Sequence, residues 1–394
     1  MAEGGRILVI AGEASGDLYG ALLARALRER EPGALISGIG GARMREEGIP
    51  LLADCRDLAV VGLVEVLSHW RPIRAAFRRV VGVLREDPPD LLVLIDYPDF
   101  NLRIAREARR RGIPVVYFIS PQVWAWRASR VRQIAESVDR ILVVLPFEED
   151  IYRRAGVPVS FVGHPLLDLL PRSVDPGESR RKFDLDPKRR VVGLLPGSRR
   201  REIGFHLGVM LEAARLLRER AGDFQVVIPL ASTLRPADLE PYLRSARESL
   251  GEIPLLEGAP GEALSTMDAA VVKSGTATLE AGLMGVPMVV VYRTTTLTYL
   301  LASLLANVRH VGLINIVAGK EIVPELVQSG CRPDRIAAAL DPFLRDPSRA
   351  GAVRREMSAL RERLGEPGCF GRAAEAVLGV LRGECSTRGR QVSR

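Results

Sequence analysis

Cysteine is scarce in this 394-residue chain, and the few cysteines lack the spacing of a metal site. They are scattered at Cys55, Cys331, Cys369 and Cys385, with no Cys-x-x-Cys pair and no histidine at ligand spacing. This pattern argues against a structural zinc ion and favours a reducing compartment over an oxidising one.

Long apolar runs are also missing. No stretch reaches the roughly 18–20 residues that a membrane-spanning helix needs, and the nearest candidate, LTYLLASLLANVRHVGLINIV, is interrupted by Arg309 and His310. The residues MAEGGRILVIAGE pass directly into a charged turn, unlike a secretory signal peptide. These absences predict a cytoplasmic protein, and they leave room for contact with a membrane surface.

Lysine is rare as well, since 52 of the 56 basic residues are arginine, for which a GC-rich genome is the simplest cause. The formal net charge is +8 and the sequence pI is about 9.7. A basic surface of this kind suits an anionic partner, such as nucleic acid, an acidic membrane or a phosphorylated substrate.

Short β-branched runs alternate with amphipathic helical patterns along the whole chain, which predicts βαβ units and parallel sheets. The length predicts about two domains. We therefore expect two doubly wound Rossmann-like domains of the α/β class that face each other across a cleft, with residues 1–170 and 171–350 as the domains. Residues 351–394 are expected to form helices that pack back on the first domain, with a frayed tail. The strand candidates are RILVI, LLVLI, VVYFI and RILVVL in the first half, and VVGLL, QVVIPL, AAVVK and VPMVVVY in the second.

A basic turn opens the second half, in VVGLLPGSRRREIGFH. Pro196, Gly197 and Ser198 form the turn and Arg199 follows it. Glycine lets backbone N–H groups approach an anion, a helix N-terminus adds partial positive charge, and arginine supplies paired donors. The turn predicts a diphosphate site, although an ordinary strand–helix turn with solvated arginines would look the same.

A second small-residue turn lies in KSGTATLEAGLMGVPMVVVY. Ser274, Gly275 and Thr276 offer hydroxyl and N–H groups at a helix start, and Glu280 lies about one turn further on. A carboxylate there can accept hydrogen bonds from a vicinal diol such as ribose, or it can simply complement the helix dipole. Together with the basic turn, this segment predicts a nucleotide-diphosphate site.

The first half opens with an acidic turn, AGEASGDLYG, whose carboxylates would repel a diphosphate. Glu13, Ser15 and Asp17 suit the hydroxyl groups of a sugar instead, and we expect one of Ser15 and Asp17 also to cap the following helix. In LLVLIDYPDFN, Asp96 lies at the carboxyl end of a strand, where it is a candidate general base. Asp99 lies beyond Pro98, and both carboxylates could also be plain turn formers.

The chain contains, in this order, the motifs AGEASGD, LAVVGLVEVL, DYPDFN, SPQVWAWR, LPFE, GHPL, LLPGSR, SGTATLE and NIVAGKEIVPEL. Together and in this order they resemble the lipid-A-disaccharide synthase family over nearly the whole chain. The resemblance implies an inverting, GT-B-type glycosyltransferase that joins UDP-2,3-diacylglucosamine to 2,3-diacylglucosamine 1-phosphate. The products would be the β-1,6-linked disaccharide 1-phosphate and UDP.

The resemblance also implies roles for particular residues. Asp96 would deprotonate the acceptor 6-hydroxyl, and Arg199 with its turn would stabilise the UDP leaving group without a metal or any other cofactor. Asn315 would contact the donor phosphates or sugar, and Trp124 and Trp126 would stack on sugar or acyl chains, unless they pack in the core. The implied partners are the two acylated substrates and the anionic cytoplasmic face of the inner membrane, with no nucleic acid, for a monomer or a homodimer.

Acylated substrates imply a membrane contact, and SHWRPIRAAFRRVVGVLRE offers a basic amphipathic helix for it. Its apolar residues recur at spacings of three and four, with arginines beside them, although a helix that faces the core would show the same pattern. An alternative contact is the segment 297–305. The residues of the apolar stripe are Trp70, Ile73, Phe77, Val80 and Leu84.

Other interpretations keep some of these features. Another UDP-N-acetylglucosamine transferase or a UDP-sugar 2-epimerase would share the architecture, but SPQVWAWR and DYPDFN argue against both. A catalytically silent lipid-binding module would not need Asp96, Arg199 and Glu280 together. An oxidoreductase is disfavoured because no Gly-x-Gly-x-x-Gly opens a helix.

Overall fold

The computed structural model describes residues 4–58, 63–124, 129–296, 298–299 and 309–384, and for residues 63–70 and 129 it describes the backbone alone. Contacts within the chain divide it into two units. Unit 1 comprises residues 1–168 and 364–394, and unit 2 comprises residues 169–363. The return to unit 1 comes later than the expected limit at residue 350, so the helix before residue 364 belongs to unit 2.

A seven-stranded sheet forms the centre of unit 1, and its pairings are all parallel. The order across the sheet is β3-β2-β1-β4-β5-β6-β7. The middle strands are buried on both faces, as apolar strands in a parallel sheet covered by helices must be. The strands are β1 (Arg6–Ala11), β2 (Leu35–Gly40), β3 (Leu51–Asp54), β4 (Leu91–Ile95), β5 (Val115–Phe118), β6 (Arg140–Val143) and β7 (Val159–Phe161).

Helices alternate with these strands, as the sequence predicts. A short 3₁₀ turn at Cys55–Asp57 follows β3. The helices of the first part of the chain are α1 (Ala14–Arg30), α2 (Ala42–Glu46), α3 (Leu63–Glu86), α4 (Pro98–Arg109), α5 (Ser129–Ser137), α6 (Pro146–Arg154) and α7 (Leu166–Leu169).

Unit 2 repeats the architecture with six strands in the order β10-β9-β8-β11-β12-β13, again with parallel pairings. Its strands are β8 (Val191–Leu195), β9 (Gln225–Pro229), β10 (Leu255–Leu256), β11 (Ala269–Lys273), β12 (Met288–Tyr292) and β13 (Glu325–Val327). These two parallel sheets with interleaved helices confirm the predicted α/β class.

The helices of the second part begin inside the polar segment 171–190. The last helix packs on α1 in unit 1, where the rings of Tyr19 and Phe370 lie 6.1 Å apart. These helices are α8 (Pro176–Lys182), α9 (Arg200–Ala221), α10 (Pro236–Leu250), α11 (Pro260–Ser265), α12 (Thr276–Leu283), α13 (Leu313–Ala318), α14 (Pro333–Arg345), α15 (Pro347–Arg363) and α16 (Cys369–Leu381). The polar tail beyond residue 384 lies outside the described residues.

The described side chains of the apolar stripe of α3, which are Ile73, Phe77, Val80 and Leu84, lie in or against the core of unit 1, so their prediction as a membrane contact is wrong. Val80 and Leu84 are 0% and 1% exposed, and Ile73 and Phe77 pack against the same core. The Phe77 ring meets Phe100 edge-on at 6.0 Å. A core-facing helix and a lipid-facing helix share one periodicity, and here the sheet provides the apolar partner.

The arginines beside the stripe lie at the surface, since Arg71, Arg74, Arg78 and Arg85 are all exposed. The side chain of Trp70 and most of the segment 297–305 lie outside the described residues. Within the part of the chain that is described, no helix combines the length and the hydropathy needed to cross a bilayer.

Candidate functional site

In both sheets a glycine turn lies beside the point at which the strand order reverses. In unit 1, β1 lies between β2 and β4, so the connections after β1 and after β4 leave toward opposite sides of the sheet. In unit 2, β8 lies between β9 and β11 in the same way. Ligands of such sheets bind in the crevice outside the carboxyl ends of these strands. The acidic turn and Asp96 follow β1 and β4, and the two small-residue turns follow β8 and β11.

The first glycine of the acidic turn makes room for an aromatic ring. A Cβ atom on Gly12 would overlap the ring of Tyr97, whose hydroxyl donates to the Leu58 carbonyl at 2.7 Å. The next two glycines, Gly16 and Gly20, lie against Ala11 and Met44. The glycines of this turn therefore serve close packing, which explains a glycine-rich turn that carries carboxylates.

Asp17 has a structural role, which corrects its predicted place in the acceptor site. Its side chain is 5% exposed and accepts hydrogen bonds from the backbone N–H groups of Gly41, Arg43 and Met44, at 2.6, 3.0 and 3.0 Å. These groups form the N-terminus of α2, so the carboxylate caps that helix. The expected cap of α1 by Ser15 or Asp17 is absent, because Glu13 is the N-cap residue and makes no side-chain cap.

Glu13 is half-buried and Ser15 is exposed at the start of α1. Burial raises the pKa of the Tyr97 hydroxyl, and the nearby Glu13 and Asp99 carboxylates raise it further. Glu13 and Asp99 follow β1 and β4, so both carboxylates lie at the carboxyl end of the sheet and near Tyr97. The exposed Asp99 also pairs with Arg130, with Oδ1 and Nη2 at 2.5 Å.

Asp96 begins a strained turn directly after β4. Its φ is 44° and that of Tyr97 is 47°, both in the left-handed region that L-residues rarely adopt. Two donors hold the Asp96 carbonyl oxygen, the Tyr117 hydroxyl at 2.5 Å and the Asn101 amide at 2.7 Å. Backbone strain that is fixed by buried donors is typical of functional positions. The turn leaves the Asp96 side chain half-buried at the end of the strand.

Trp124 is half-buried and tied to a buried acid that the sequence analysis did not single out. Its indole Nε1 donates to Glu148 Oε1 at 3.1 Å, and its ring meets Phe147 edge-on at 5.4 Å. Glu148 is 2% exposed, and burial raises its pKa to about 8. Glu148 belongs to the LPFE motif, which was the available signal. Trp126 lies outside the described residues.

The basic turn of unit 2 has the backbone of an anion site. Gly197 has a φ of 117°, which only glycine adopts easily, while Ser198 and Arg199 are exposed and Pro196 is buried. Arg199 is the N-cap residue of α9. The Thr233 hydroxyl donates to the Ser198 carbonyl at 2.5 Å, which fixes the turn from the side of β9.

Glu202 and Lys273 are the residues of this site that the sequence analysis missed. Glu202 Oε2 accepts from the Ser198 N–H at 3.0 Å, and Oε1 pairs with Lys273 Nζ at 2.9 Å. Although burial disfavours its charge, Lys273 and Arg199 hold the pKa of Glu202 below its usual value. The pair joins residues 71 positions apart, which meet because β8 and β11 are neighbours.

The second turn places small polar residues beside Lys273. A Cβ atom on Gly275 would lie 3.7 Å from Lys273 Nζ. Ser274 Oγ donates to the Val311 carbonyl at 2.6 Å, and Thr276 is exposed at the start of α12. Glu280 is half-buried, and burial raises its pKa. Such a carboxyl group is suited to hydrogen bonds with a ligand.

Asn315 is a structural residue, which corrects its predicted direct contact with the donor. It is fully buried in α13, and its amide donates to the Val323 carbonyl and to Glu325, both at 2.8 Å. Its oxygen accepts from the N–H groups of Ile322 and Val323. With two donors and two acceptors all in use, Asn315 holds the loop before β13 against α13.

Among the described residues, no group of three or more His, Cys, Asp or Glu side chains has the arrangement of a metal site. The Asp184-Leu-Asp186 sequence follows α8 and bonds to Gln225 at the amino end of β9, the end opposite to the glycine turns. At the strand ends of unit 2 the cationic side chains Arg199 and Lys273 lie with Glu202 and Glu280, whereas the charged side chains described at the strand ends of unit 1 are mainly carboxylates.

Solved structures share this architecture at low sequence identity. The UDP-N-acetylglucosamine 2-epimerase of Neisseria meningitidis, solved with UDP-N-acetylglucosamine, gives a TM-score of 0.62 at 16% identity, over 96% of this chain and 100% of that one. A calicheamicin glycosyltransferase gives 0.59 at 18% identity, over 95% and 98% of the two chains. These likenesses show the fold, which is that of GT-B glycosyltransferases and related epimerases.

Sequence comparison narrows the fold to one family. The family model described as lipid-A-disaccharide synthetase matches residues 7–376. The lipid-A-disaccharide synthase of Geobacter sulfurreducens is 50% identical over 376 residues, which cover 95% of this chain and 97% of that protein. A match of this extent includes both strand-end sites described above, and the chain accordingly belongs to the lipid-A-disaccharide synthase family.

Proposed function

We propose that unit 2 holds a UDP-activated diacylglucosamine and that unit 1 activates the 6-hydroxyl of diacylglucosamine 1-phosphate. Family membership makes the chain a glycosyltransferase of lipid A synthesis. The observation that carries the division of labour is the opposite charge at the two switch points. Cations surround the glycine turn after β8, whereas carboxylates surround the turns after β1 and β4.

The donor half follows from the chemistry of a nucleoside diphosphate. The Gly197 turn and the N-terminus of α9 present N–H groups to the diphosphate, and Arg199 adds a bidentate donor. The hydroxyl of Thr276 and the turn at Ser274 and Gly275 lie on the neighbouring strand end. Glu280 accepts hydrogen bonds from the ribose diol, for which a half-buried carboxyl group is suited. Asn315 supports this half indirectly, by fixing α13.

The acceptor half centres on Asp96. Its carboxylate takes the proton of the acceptor 6-hydroxyl as the oxygen forms a bond to the anomeric carbon of the donor. The bond from that carbon to the diphosphate breaks on the opposite side, and its electrons leave with UDP, so the anomeric configuration inverts. Tyr117 and Asn101 hold the Asp96 backbone. In this proposal Glu13, Ser15, Asp99 and Trp124 bind the acceptor sugar.

The charge that grows on UDP is met by fixed protein groups. Preorganised donors aimed at a developing anion supply the largest single contribution in many enzymes. Arg199 and the N–H groups of the turn are such donors, so we expect no metal ion to be required. We expect the reaction to take place at the cytoplasmic face of the inner membrane, because both sugar substrates carry acyl chains. The exposed arginines of α3 supply positive charge for an anionic surface.

One assay tests the proposed function. UDP release from the acylated donor is measured with and without the acylated monosaccharide 1-phosphate, with EDTA present throughout. We expect rapid release only when the acceptor is present, together with a disaccharide 1-phosphate product. Release or C2 epimerisation with unacylated UDP-N-acetylglucosamine, at a comparable rate and without the acceptor, would contradict the proposal. Activity that returns only when magnesium is added would contradict its metal-free part.

A further inference from the structure

The carboxylate of Glu202 lies where the basic turn would hold an anion. A Cβ atom on Gly197 would overlap Glu202 Oε2, so the carboxylate covers the open face of the glycine. The same oxygen accepts the Ser198 N–H at 3.0 Å. An N–H group at a glycine turn before a helix is the typical partner of a bound phosphate. The turn therefore already binds an anion, and that anion is an internal side chain.

Lys273 holds the other oxygen of this carboxylate and lies between both turns. Its Nζ is 2.9 Å from Glu202 Oε1, and it lies against Gly275 on the neighbouring strand end. The side chains of Lys273 and Glu202 are 18% and 19% exposed. Lysine differs from arginine here because a compact ammonium group with three donors can contact an anion held by either turn.

Further positive charges surround the pair. Arg199 acts on Glu202, and Arg293, which follows β12, acts together with Lys273 on the buried His206. Burial and these cations lower the pKa of His206, whose Nε2 accepts the Arg293 N–H at 2.9 Å. The Glu202 carboxylate thus lies under the influence of two cationic side chains, Lys273 and Arg199, which leaves an excess of positive charge for a further anion.

A glutamate that only capped α9 would not need cationic side chains around its carboxylate. Glu202 is the third residue of α9, where glutamate often reaches back to a backbone N–H. Here, however, the carboxylate also neutralises a lysine that belongs to the neighbouring strand end, beside the second turn. A diphosphate that binds the Ser198 N–H must displace the Glu202 carboxylate from it, because this single N–H already donates to Glu202 Oε2.

We propose that Lys273 is a further donor-binding residue and that, in the free protein, the Glu202 carboxylate occupies the position of the donor diphosphate. Binding of the donor displaces the carboxylate toward solvent and transfers Lys273 and the Ser198 N–H to a phosphate oxygen. Until the donor binds, Glu202 maintains the conformation of the turn and compensates the positive charge of Lys273. This inference rests on the proposed donor site of unit 2.

The test measures the affinity of the full-length protein for UDP and for uridine, which lacks the phosphates. Lys273→Gln should weaken UDP binding by about 10- to 100-fold, the effect of losing one charged hydrogen bond, and leave uridine binding unchanged. Lys273→Arg should restore part of the UDP affinity. Glu202→Gln should bind UDP about 3- to 10-fold more tightly than the unmutated protein, because it lacks the competing carboxylate.

A double variant keeps the test valid if Lys273→Gln alone folds poorly with Glu202 unpaired. Glu202→Gln/Lys273→Gln lacks both charges and should bind UDP about 10- to 100-fold more weakly than Glu202→Gln alone. Equal affinities of these two variants would mean that Lys273 acts only through Glu202, and would overturn the inference. Weaker UDP binding by Glu202→Gln would overturn the proposal that the donor displaces the Glu202 carboxylate. If the unmutated protein does not bind UDP at all, the proposed function itself fails.

Discussion

The turns after β1 and after β8 occupy the same topological position in their sheets and have opposite chemistry. Each follows the strand at which the order reverses, and each carries a glycine that no other residue could replace without a clash. Gly12 makes room for the Tyr97 ring, whereas Gly197 makes room for a carboxylate at an N–H group. A glycine turn therefore marks close approach of some group, and the neighbouring charges decide which group it is.

The two sites also differ in how their functional groups are held in position. In unit 1, Asp96 is fixed through its backbone carbonyl by Tyr117 and Asn101. In unit 2, the Ser198 N–H donates to a side chain, Glu202, which we propose that the donor displaces. A fixed group is suited to proton transfer, and a displaceable group is suited to exchange with a bound anion. This contrast separates the chemistry of the acceptor side from binding on the donor side.

The largest effect is expected for Asp96→Asn, which removes the base and keeps the shape of the turn. Turnover should fall by about 10²–10⁴-fold, the usual contribution of a positioned general base, while the melting temperature stays close to that of the unmutated protein. The measurement is a steady-state rate beside a thermal melt. The control is Asp150→Asn, a surface carboxylate of unit 1 that pairs only with Arg153 among the described contacts. Near-normal turnover of folded Asp96→Asn would remove Asp96 from the mechanism.

The next prediction tests whether the apolar face of α3 packs in the core of unit 1. Leu84→Ala should lower the free energy of unfolding by about 2–5 kcal/mol, because Leu84 is 1% exposed. Arg85→Ala, one residue further and exposed, should change it by less than about 0.5 kcal/mol. Denaturant unfolding measures both. Similar small effects for the two variants would return the stripe to the surface and revive it as a membrane contact.

Gly12→Ala sharpens the difference between the two turns. The added methyl group would overlap the Tyr97 ring, so we expect a loss of about 1–3 kcal/mol of folding stability, as for overpacked cores. UDP affinity should not change, because this glycine serves packing and not an anion. Calorimetric titration and a denaturant curve decide the matter, and weaker UDP binding with unchanged stability would show that Gly12 lies at the nucleotide.

The smallest effect concerns Glu148, the buried acid beside Trp124. Its pKa is about 8 in the folded protein against 4.5 for an ordinary glutamate. Between these values the folded protein retains a proton that the unfolded chain releases, so the free energy of unfolding falls as pH rises, by up to about 1.4 kcal/mol per pH unit. Glu148→Gln should remove this slope and become more stable than the unmutated protein near pH 8. Parallel slopes for the two proteins would contradict the raised pKa.

Much of the fold could be predicted from the sequence, because the central strands are continuous apolar runs. LLVLI and AAVVK correspond to β4 and β11 without adjustment. The missed strands are glycine-rich or very short. β2 contains Gly38 and Gly40, and β10 has two residues, so neither shows the β-branched run that marks a buried strand.

The site was harder to predict because its contacts join distant positions. Asp17 finds its partners 24 to 27 residues away at α2, and Glu202 finds Lys273 only through the order of the strands. The stripe of α3 shows a different limit. Its period identifies an apolar face, but the sequence does not state whether a sheet or a bilayer covers that face.

One calorimetric titration with UDP tests the division of labour most directly. It compares the unmutated protein with Arg199→Ala, Asp96→Asn and Arg220→Ala, the last being an exposed arginine near the other end of α9. We predict that Arg199→Ala raises the dissociation constant by about 10- to 100-fold, the effect of one charged hydrogen bond, and that Asp96→Asn and Arg220→Ala leave it unchanged. Weaker UDP binding by Asp96→Asn together with unchanged binding by Arg199→Ala would contradict the assignment of donor and acceptor to the two units.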